Sequence, residues 1–480
     1  MNSQQLFSSV KTPLVAIVVA IAFVSNGMAD PWGKPVKVYI LSGQSNMVGI
    51  GQVSGGGTRW SGVTEASVSV YPGKFSPDVD YDKLTPSKTQ PLPVYGGVTP
   101  TAFPGGGVQV ARGLMEIKTS GVYRFKPGYS NSTFNIMELD GVEVFRKEVG
   151  KDPSYTSFKI TGGKKNAFKI TFLTEAANGL GWWERTDIPG TLDTVVHADG
   201  KFPHFVNDQG NWAVRNDVWY KGLVTAGANK WLSIGCGASS NQIGPELQFG
   251  HILGDHHDEP VIILKSSQGN RSLSWDFLPP GSKSFTQDGR TYAGYKQSPN
   301  SWIEGEPKKE VNWYAGKQYD DCFGEVHRVL DNFDTEFPQF KGQGYEIAGF
   351  VWWQGHKDGG SEVHAKRYEQ NLVHLIKTLR KEFKAQQAPF VIATIGFDGW
   401  NMSGNQLTIA KAQLAVSGEK KKYPEFAGNV LTVETREFWK EVEFSPRNQG
   451  FHYNGNAETY IMVGDALGRG MVQLLNQSTK

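Results

Sequence analysis

Cysteine is nearly absent: the chain of 480 residues holds two, Cys236 and Cys322, far apart in sequence. A dense disulfide framework is therefore excluded. A single bridge between the two and a pair of buried free thiols both remain open. Net charge is also lacking, at +2 from 49 basic and 47 acidic residues, and no Lys/Arg cluster forms a stripe, which argues against a nucleic-acid-binding protein. Long apolar runs are missing too. The longest, "PLVAIVVAIAFV", has twelve residues, short of the ~20 that span a bilayer. It follows Lys11 and precedes "SNGMA", with Gly27 and Ala29 at the −3 and −1 positions of a cleavage site before Asp30. Residues 1–29 thus read as a removable signal peptide, with an uncleaved N-terminal anchor as the alternative, and the mature chain is expected to be secreted or periplasmic, with no integral membrane segment. No "GxSxG" elbow occurs and no apolar lid is evident, which disfavours a lipase of the α/β-hydrolase type.

What the chain has in plenty is glycine, 57 residues, and aromatic side chains, at 12%. That suits a loop-rich fold with stacking surfaces. At this length a single core has usually stopped growing, near ~250–300 residues, so more than one domain is expected. The texture agrees. From about 59 to 190, segments such as "GVYRFKPG", "STFNIMELDGVEVFRKE" and "NAFKITFLTE" alternate apolar with polar residues, the period of antiparallel strands. "LDGVEV" carries an Asp-Gly hairpin signal. After 190, amphipathic stretches such as "AKRYEQNLVHLIKTLRKEF" alternate with short apolar strands such as "PVIILKSS", "IAGFVWWQ", "FVIATIGF" and "NVLTVET". Apolar strands alternating with helices imply a parallel sheet covered on both faces, whose ligands sit at the strand carboxyl ends. The expected organisation is a signal at 1–29, an α/β core at 30–58 and 191–480, and an all-β sandwich inserted at 59–190.

Four segment ends carry chemistry. "VKVYIL" runs into Gly43-Gln44-Ser45-Asn46-Met47, "VIILKSS" into Gln268-Gly269-Asn270, and "GFVWW" into Gln354-Gly355-His356-Lys357-Asp358; His452 stands just ahead of the last helix. A serine hydroxyl needs a base to become a nucleophile, and a histidine with an ordinary pKa of ~6.5 suits neutral pH. A developing oxyanion needs fixed donors. The N–H groups of Ser45 and Gly269 and the side-chain amide of Gln354 are the candidates.

Together "GQSNM", "GPELQFG" with "GNRSLSWDF", "FVWWQGHKD" and the late histidine resemble the sialate O-acetylesterase and carbohydrate esterase family six group of SGNH hydrolases, over roughly residues 36–58 and 191–475. The resemblance implies a flavodoxin-like three-layer α/β/α core and a serine esterase that removes O-acetyl groups from sugars. By position it implies Ser45 as nucleophile, His452 as general base, and Gly269 and Gln354 as oxyanion donors beside Ser45. It implies neither a metal nor an organic cofactor, and an acetylated carbohydrate as substrate.

Two departures matter. The acid that the family sets three residues before the catalytic histidine is Gln449 here, and an acidic residue often found after "QG" is His356. The third member of a triad is then Asp358, as the first candidate, or Glu434, or a backbone carbonyl that leaves a Ser–His dyad. A catalytically inactive glycan-binding protein on the same fold is the competing function. The inserted segment resembles, more loosely, the protective-antigen type of β-sandwich, which implies glycan binding; a structural insertion is equally open. Trp182 and Trp183 read either as a sugar-stacking pair or as core. The run "HILGDHHDE", with His251, His256, His257 and Asp258, matches no ligand spacing and reads as a helix end and polar loop.

Overall fold

The computed structural model describes residues 33–478 apart from 60, 74, 77, 93–106, 127–133, 149–150, 152, 174–181, 226 and 310. The expected signal peptide lies outside the described residues. Seven strands form the main sheet, in the order Asn229–Leu232, Arg215–Leu223, Val261–Ser267, Val36–Gly43, Tyr345–Trp353, Phe390–Ala393, Val430–Val433. Every neighbouring pair is parallel except the first. The strand Val261–Ser267 is buried at every position, as is nearly all of Val36–Gly43. Strands with no solvent face read as unbroken Val, Ile and Leu, which is why their apolar runs were visible in the sequence.

Helices flank this sheet in two groups. Glu246–His256 packs on Ala457–Ser478. Lys317–Asp331 meets Glu362–Glu382 through Tyr319 and His327, both bonded to Glu382. The long helix Glu362–Glu382 begins at Ser361, whose hydroxyl accepts from the His364 N–H and so satisfies one orphan donor of the first turn. Its residues Ala365, Tyr368, Leu372, Leu375, Ile376 and Leu379 recur every three or four positions and are buried, giving one apolar face. Among the described residues, no helix is long and apolar enough to cross a membrane.

Between Gly57 and Arg185 the chain forms two antiparallel sheets, one of seven strands and one of four. The predicted hairpin is there. Phe134–Leu139 pairs with Val142–Lys147 through Asp140 and Gly141, both at positive φ (47° and 79°), as a tight mirror-image turn requires. Ala111, Met137 and Ile170 from the larger sheet share one apolar cluster with Phe125 and Trp183 from the smaller. Trp183 is therefore core, its ring 5.5 Å from Phe125 and fully buried, and it is not a sugar platform. These sheets are tied to the α/β part by a buried ion cluster. Arg124 grips Asp193 through both carboxylate oxygens at 2.9 and 2.8 Å and reaches Glu184 at 2.8 Å; Glu184 in turn accepts from the Ser54 hydroxyl at 2.8 Å.

Cys236 and Cys322 are free and buried, so the bridge is not formed. Burial pushes each thiol up to about 11, which keeps both protonated and unreactive at neutral pH. In the "HILGDHHDE" run, His257 Nε2 lies 2.6 Å from the Tyr39 hydroxyl, and His251 packs edge-on against Phe205.

Candidate active site

The central strand Val36–Gly43 delivers Ser45 at its carboxyl end, and its two sheet neighbours deliver Gly269 and Gln354 beside it. Gly43 makes the exit possible: a Cβ there would sit 2.1 Å from the Trp353 carbonyl oxygen, and its φ of 154° lies where side chains are rarely found. The chain then turns into the one-turn helix Ser45–Val48, with Ser45 at the first position. A Cβ at Gly269 would lie 3.5 Å from the Ser45 Cβ, so the second strand end approaches Ser45 directly.

His452 comes from the far end of the chain, and its Nε2 lies 2.9 Å from Ser45 Oγ. The turn that carries it is held hard. Tyr453 and Asn454 both have positive φ (49° and 54°), conformations that cost about 1–3 kcal/mol each and persist only where surroundings impose them. The surroundings are clear. Asn454 accepts from the Gln449 N–H at 2.9 Å and donates to the Lys440 carbonyl at 3.1 Å, while the Tyr453 hydroxyl accepts from the Gly396 N–H at 2.9 Å. Asn46, next to Ser45, donates to the Phe451 carbonyl at 3.2 Å and accepts from the Tyr460 hydroxyl at 2.8 Å, so it locks the serine turn to the histidine turn.

The other imidazole nitrogen is different. His452 Nδ1 is buried and has no hydrogen-bond partner among the described residues. Burial, followed by the positive fields of His356 and Arg447, lowers its pKa to about 4. His452 is then neutral at pH 7, and among the described residues no carboxylate is hydrogen-bonded to its Nδ1.

Asp358 does not fill that gap. It is completely buried, and its carboxylate accepts from the Leu273 N–H at 2.8 Å, the Ser274 N–H at 2.9 Å and Gln354 Nε2 at 2.7 Å. Asp358, the first candidate for the acid, makes no hydrogen bond to His452 among the described residues; its oxygens are taken by two N–H groups of the loop after Gly269 and by Gln354. Glu434 is also engaged, by Thr394, by the Arg436 side chain and by the backbone N–H groups of Thr435 and Arg436.

Gln354 is likewise committed. Its Nε2 lies 2.7 Å from Asp358, 2.9 Å from the Arg271 carbonyl and 3.2 Å from Gln44 Oε1, which takes both amide hydrogens. These contacts tie Gln354 to the loop that carries Gly269. Sequence reasoning passed over three residues that assemble the site. Gln44 gathers Gln354 and the N–H groups of Gly355 and Lys357 (3.4 and 3.3 Å). Asn46 was visible in "GQSNM", but nothing in one sequence separates its clamp from an ordinary turn. Lys265 is an ionisable residue inside an apolar strand, the one signal of the three that was there to be read.

Residues 223–441 match the family described as "Carbohydrate esterase, sialic acid-specific acetylesterase". That is a carbohydrate-esterase family. The matched stretch contains Gly269, Gln354 and Asp358, while Ser45 and His452 lie outside it. No curated protein matches the chain. Among solved structures it is similar to NanS, at 10% identity over 92% of this chain and 99% of that one, with a TM-score of 0.32. It is also similar to a carbohydrate acetylesterase from Xanthomonas citri (9% identity, 75% of this chain, 72% of that one, TM-score 0.32). A third is a family two carbohydrate esterase from Cellvibrio japonicus (8% identity, 78% and 92%, TM-score 0.27).

Proposed function

We propose that this protein is an exported carbohydrate O-acetylesterase that works through Ser45 and His452 on a flavodoxin-like α/β/α core with an inserted β-sandwich. The observation that carries this is the 2.9 Å contact between Ser45 Oγ and His452 Nε2, made at the carboxyl edge of a parallel sheet by residues 407 positions apart. The carbohydrate-esterase match over 223–441 supports the substrate class. Ser45 Oγ attacks the acetyl carbon as His452 Nε2 takes its proton, and the oxyanion is received by the N–H groups of Ser45 and Gly269. Collapse breaks the ester bond, and the proton passes from His452 to the departing sugar oxygen. Water, deprotonated by His452, then attacks the acetyl-serine, and acetate leaves as Ser45 regains its proton.

One observation favours a second reading. With Nδ1 of His452 unpartnered and Gln449 at the usual acid position, the same cleft suits a protein that binds acetylated glycans without cleaving them. Acetate release from acetylated xylan, O-acetylated sialic acid and acetylated algal polysaccharides decides between the two. Under the esterase reading, Ser45→Ala abolishes release, with a loss on the order of 10⁶ in turnover, and adding His452→Ala costs little more. A Ser45→Ala variant retaining a tenth of the native rate is incompatible with it.

A further inference from the structure

Trp400 is the most exposed large apolar side chain described, at 64%. It lies in the turn that follows the strand Phe390–Ala393, which is two strands, roughly 10 Å, across the sheet from the strand that delivers Ser45. The indole is held from beneath. The Arg436 guanidinium sits 4.4 Å from its ring centroid, and Glu434 fixes that guanidinium with two hydrogen bonds at 2.9 and 2.7 Å. The turn itself is pressed against its neighbour: a Cβ on Gly399, at φ 55°, would meet the Arg436 carbonyl at 3.2 Å and Trp439 at 3.3 Å. A continuous aromatic path links this turn to the base. Phe397 contacts His356 (5.3 Å), His356 contacts Phe451 (5.7 Å), and Phe451, itself 45% exposed, adjoins His452.

Leaving an indole face in water costs apolar hydration that burial would recover, and here the ring is also braced so that it loses little freedom when something stacks on it. Arg436 carries no free charge to the surface, because Glu434 neutralises it. The platform therefore suits an uncharged, flat, C–H-bearing ligand and not an acidic one.

We infer that Trp400 is a stacking platform for a neutral pyranose ring, the sugar next to the acetylated one in a polysaccharide substrate. This rests on the esterase reading for its substrate and extends it from a single acetylated sugar to a chain. Trp400 touches no reacting atom; it binds the neighbouring ring, so its contribution belongs in KM and grows only once the substrate is longer than one sugar.

The test compares Trp400→Ala and Trp400→Phe with the native chain on an aryl acetate, an acetylated xylose and acetylated xylo-oligosaccharides of increasing length. Trp400→Ala should raise KM for the oligosaccharides about threefold to tenfold, with kcat unchanged, with the aryl acetate and the single sugar unaffected, and with Trp400→Phe in between. An unchanged oligosaccharide KM, or an equal rise on the aryl acetate, overturns the platform. If the native chain hydrolyses no ester, the esterase reading has failed separately. Calorimetric titration with unacetylated xylo-oligosaccharide then decides: binding by the native chain that Trp400→Ala weakens upholds the platform, and equal binding or none by both overturns it.

Discussion

Lys265 and Glu246 form an ion pair at 2.7 Å from which water is wholly excluded. The ammonium group also donates to the Val48 carbonyl at 2.7 Å and the Cys236 carbonyl at 2.9 Å, so it ties off the end of the one-turn helix that begins at Ser45. Glu246 uses its second oxygen to accept from the Gly244 N–H at 2.8 Å. A charge pair so placed is costly to desolvate, but once built it is more costly to break from one side.

Lys265→Met is therefore expected to lower stability by about 3–5 kcal/mol, because Glu246 and two carbonyls lose their partner in a dry site. Urea unfolding measures it. Adding Glu246→Gln to Lys265→Met should recover part of that loss, since the stranded charge is gone. A double variant less stable than Lys265→Met by a further full increment would show that the two residues do not act as a pair.

Asp358→Ala leaves two buried donors without an acceptor, the Leu273 and Ser274 N–H groups, and takes one of three acceptors from the Gln354 amide. Each costs about 1–3 kcal/mol when unpaired, so the variant is expected to unfold early or to fold with a displaced Gly269 loop. Asp358→Asn is milder, exchanging one acceptor for a donor. Because Asp358 positions the loop and does not touch His452, the Asn variant should lose turnover without moving the acid limb of its pH–rate profile. A shifted limb would return Asp358 to the role of triad acid.

These two cases show what a single sequence carries and what it does not. The places of Ser45 and Gly269 were legible because each follows the carboxyl end of a strand that announces itself as an apolar run, whereas His452 was marked only by its position ahead of the last helix. The role of Asp358 was not legible. It follows a strand end just as Ser45 does, but whether its carboxylate faces the cleft or the interior depends on two N–H groups presented by a loop more than eighty positions away. Nothing in "WWQGHKD" encodes that loop. The same holds for Gln354, whose amide hydrogens are claimed by residues on three separate segments. Pattern locates a residue at an edge; only packing sets its direction.

The two antiparallel sheets between Gly57 and Arg185 offer a further check. Asp193 is buried, with Arg124 from the all-β region on both its oxygens and His197 Nδ1 3.4 Å from one of them, so replacing 59–190 by a Gly/Ser linker removes its guanidinium partner and leaves only the imidazole. The linker variant is expected to lose roughly 3–5 kcal/mol of stability, and adding Asp193→Asn should restore part of it. Activity of the repaired variant on an aryl acetate should match the native chain, because Ser45, Gly269 and His452 all lie outside the insertion. Thermal unfolding and initial rates measure the two effects separately. A repaired, folded variant with no activity would show that the all-β region helps to build the cleft.

The last expectation concerns the missing acid. With its pKa lowered to about 4, first by burial and then by His356 and Arg447, His452 stays unprotonated as pH falls through 6.5. Its capacity to take the Ser45 proton is lost only near pH 4. The acid limb of kcat/KM for a small acetyl ester is therefore expected close to 4, well below the ordinary histidine range. Gln449→Asp introduces a carboxylate one turn before His452, whose N–H already donates to the Gln449 carbonyl at 2.8 Å. A negative neighbour favours the imidazolium, so it raises the histidine pKa and moves the acid limb upward. It also gives Nδ1 an acceptor that fixes the tautomer, for which turnover should rise, by as much as ~10⁴ if tautomer and orientation are what the native site lacks. An acid limb already near 6.5 in the native chain, unmoved by Gln449→Asp, would show that another group partners His452 in solution.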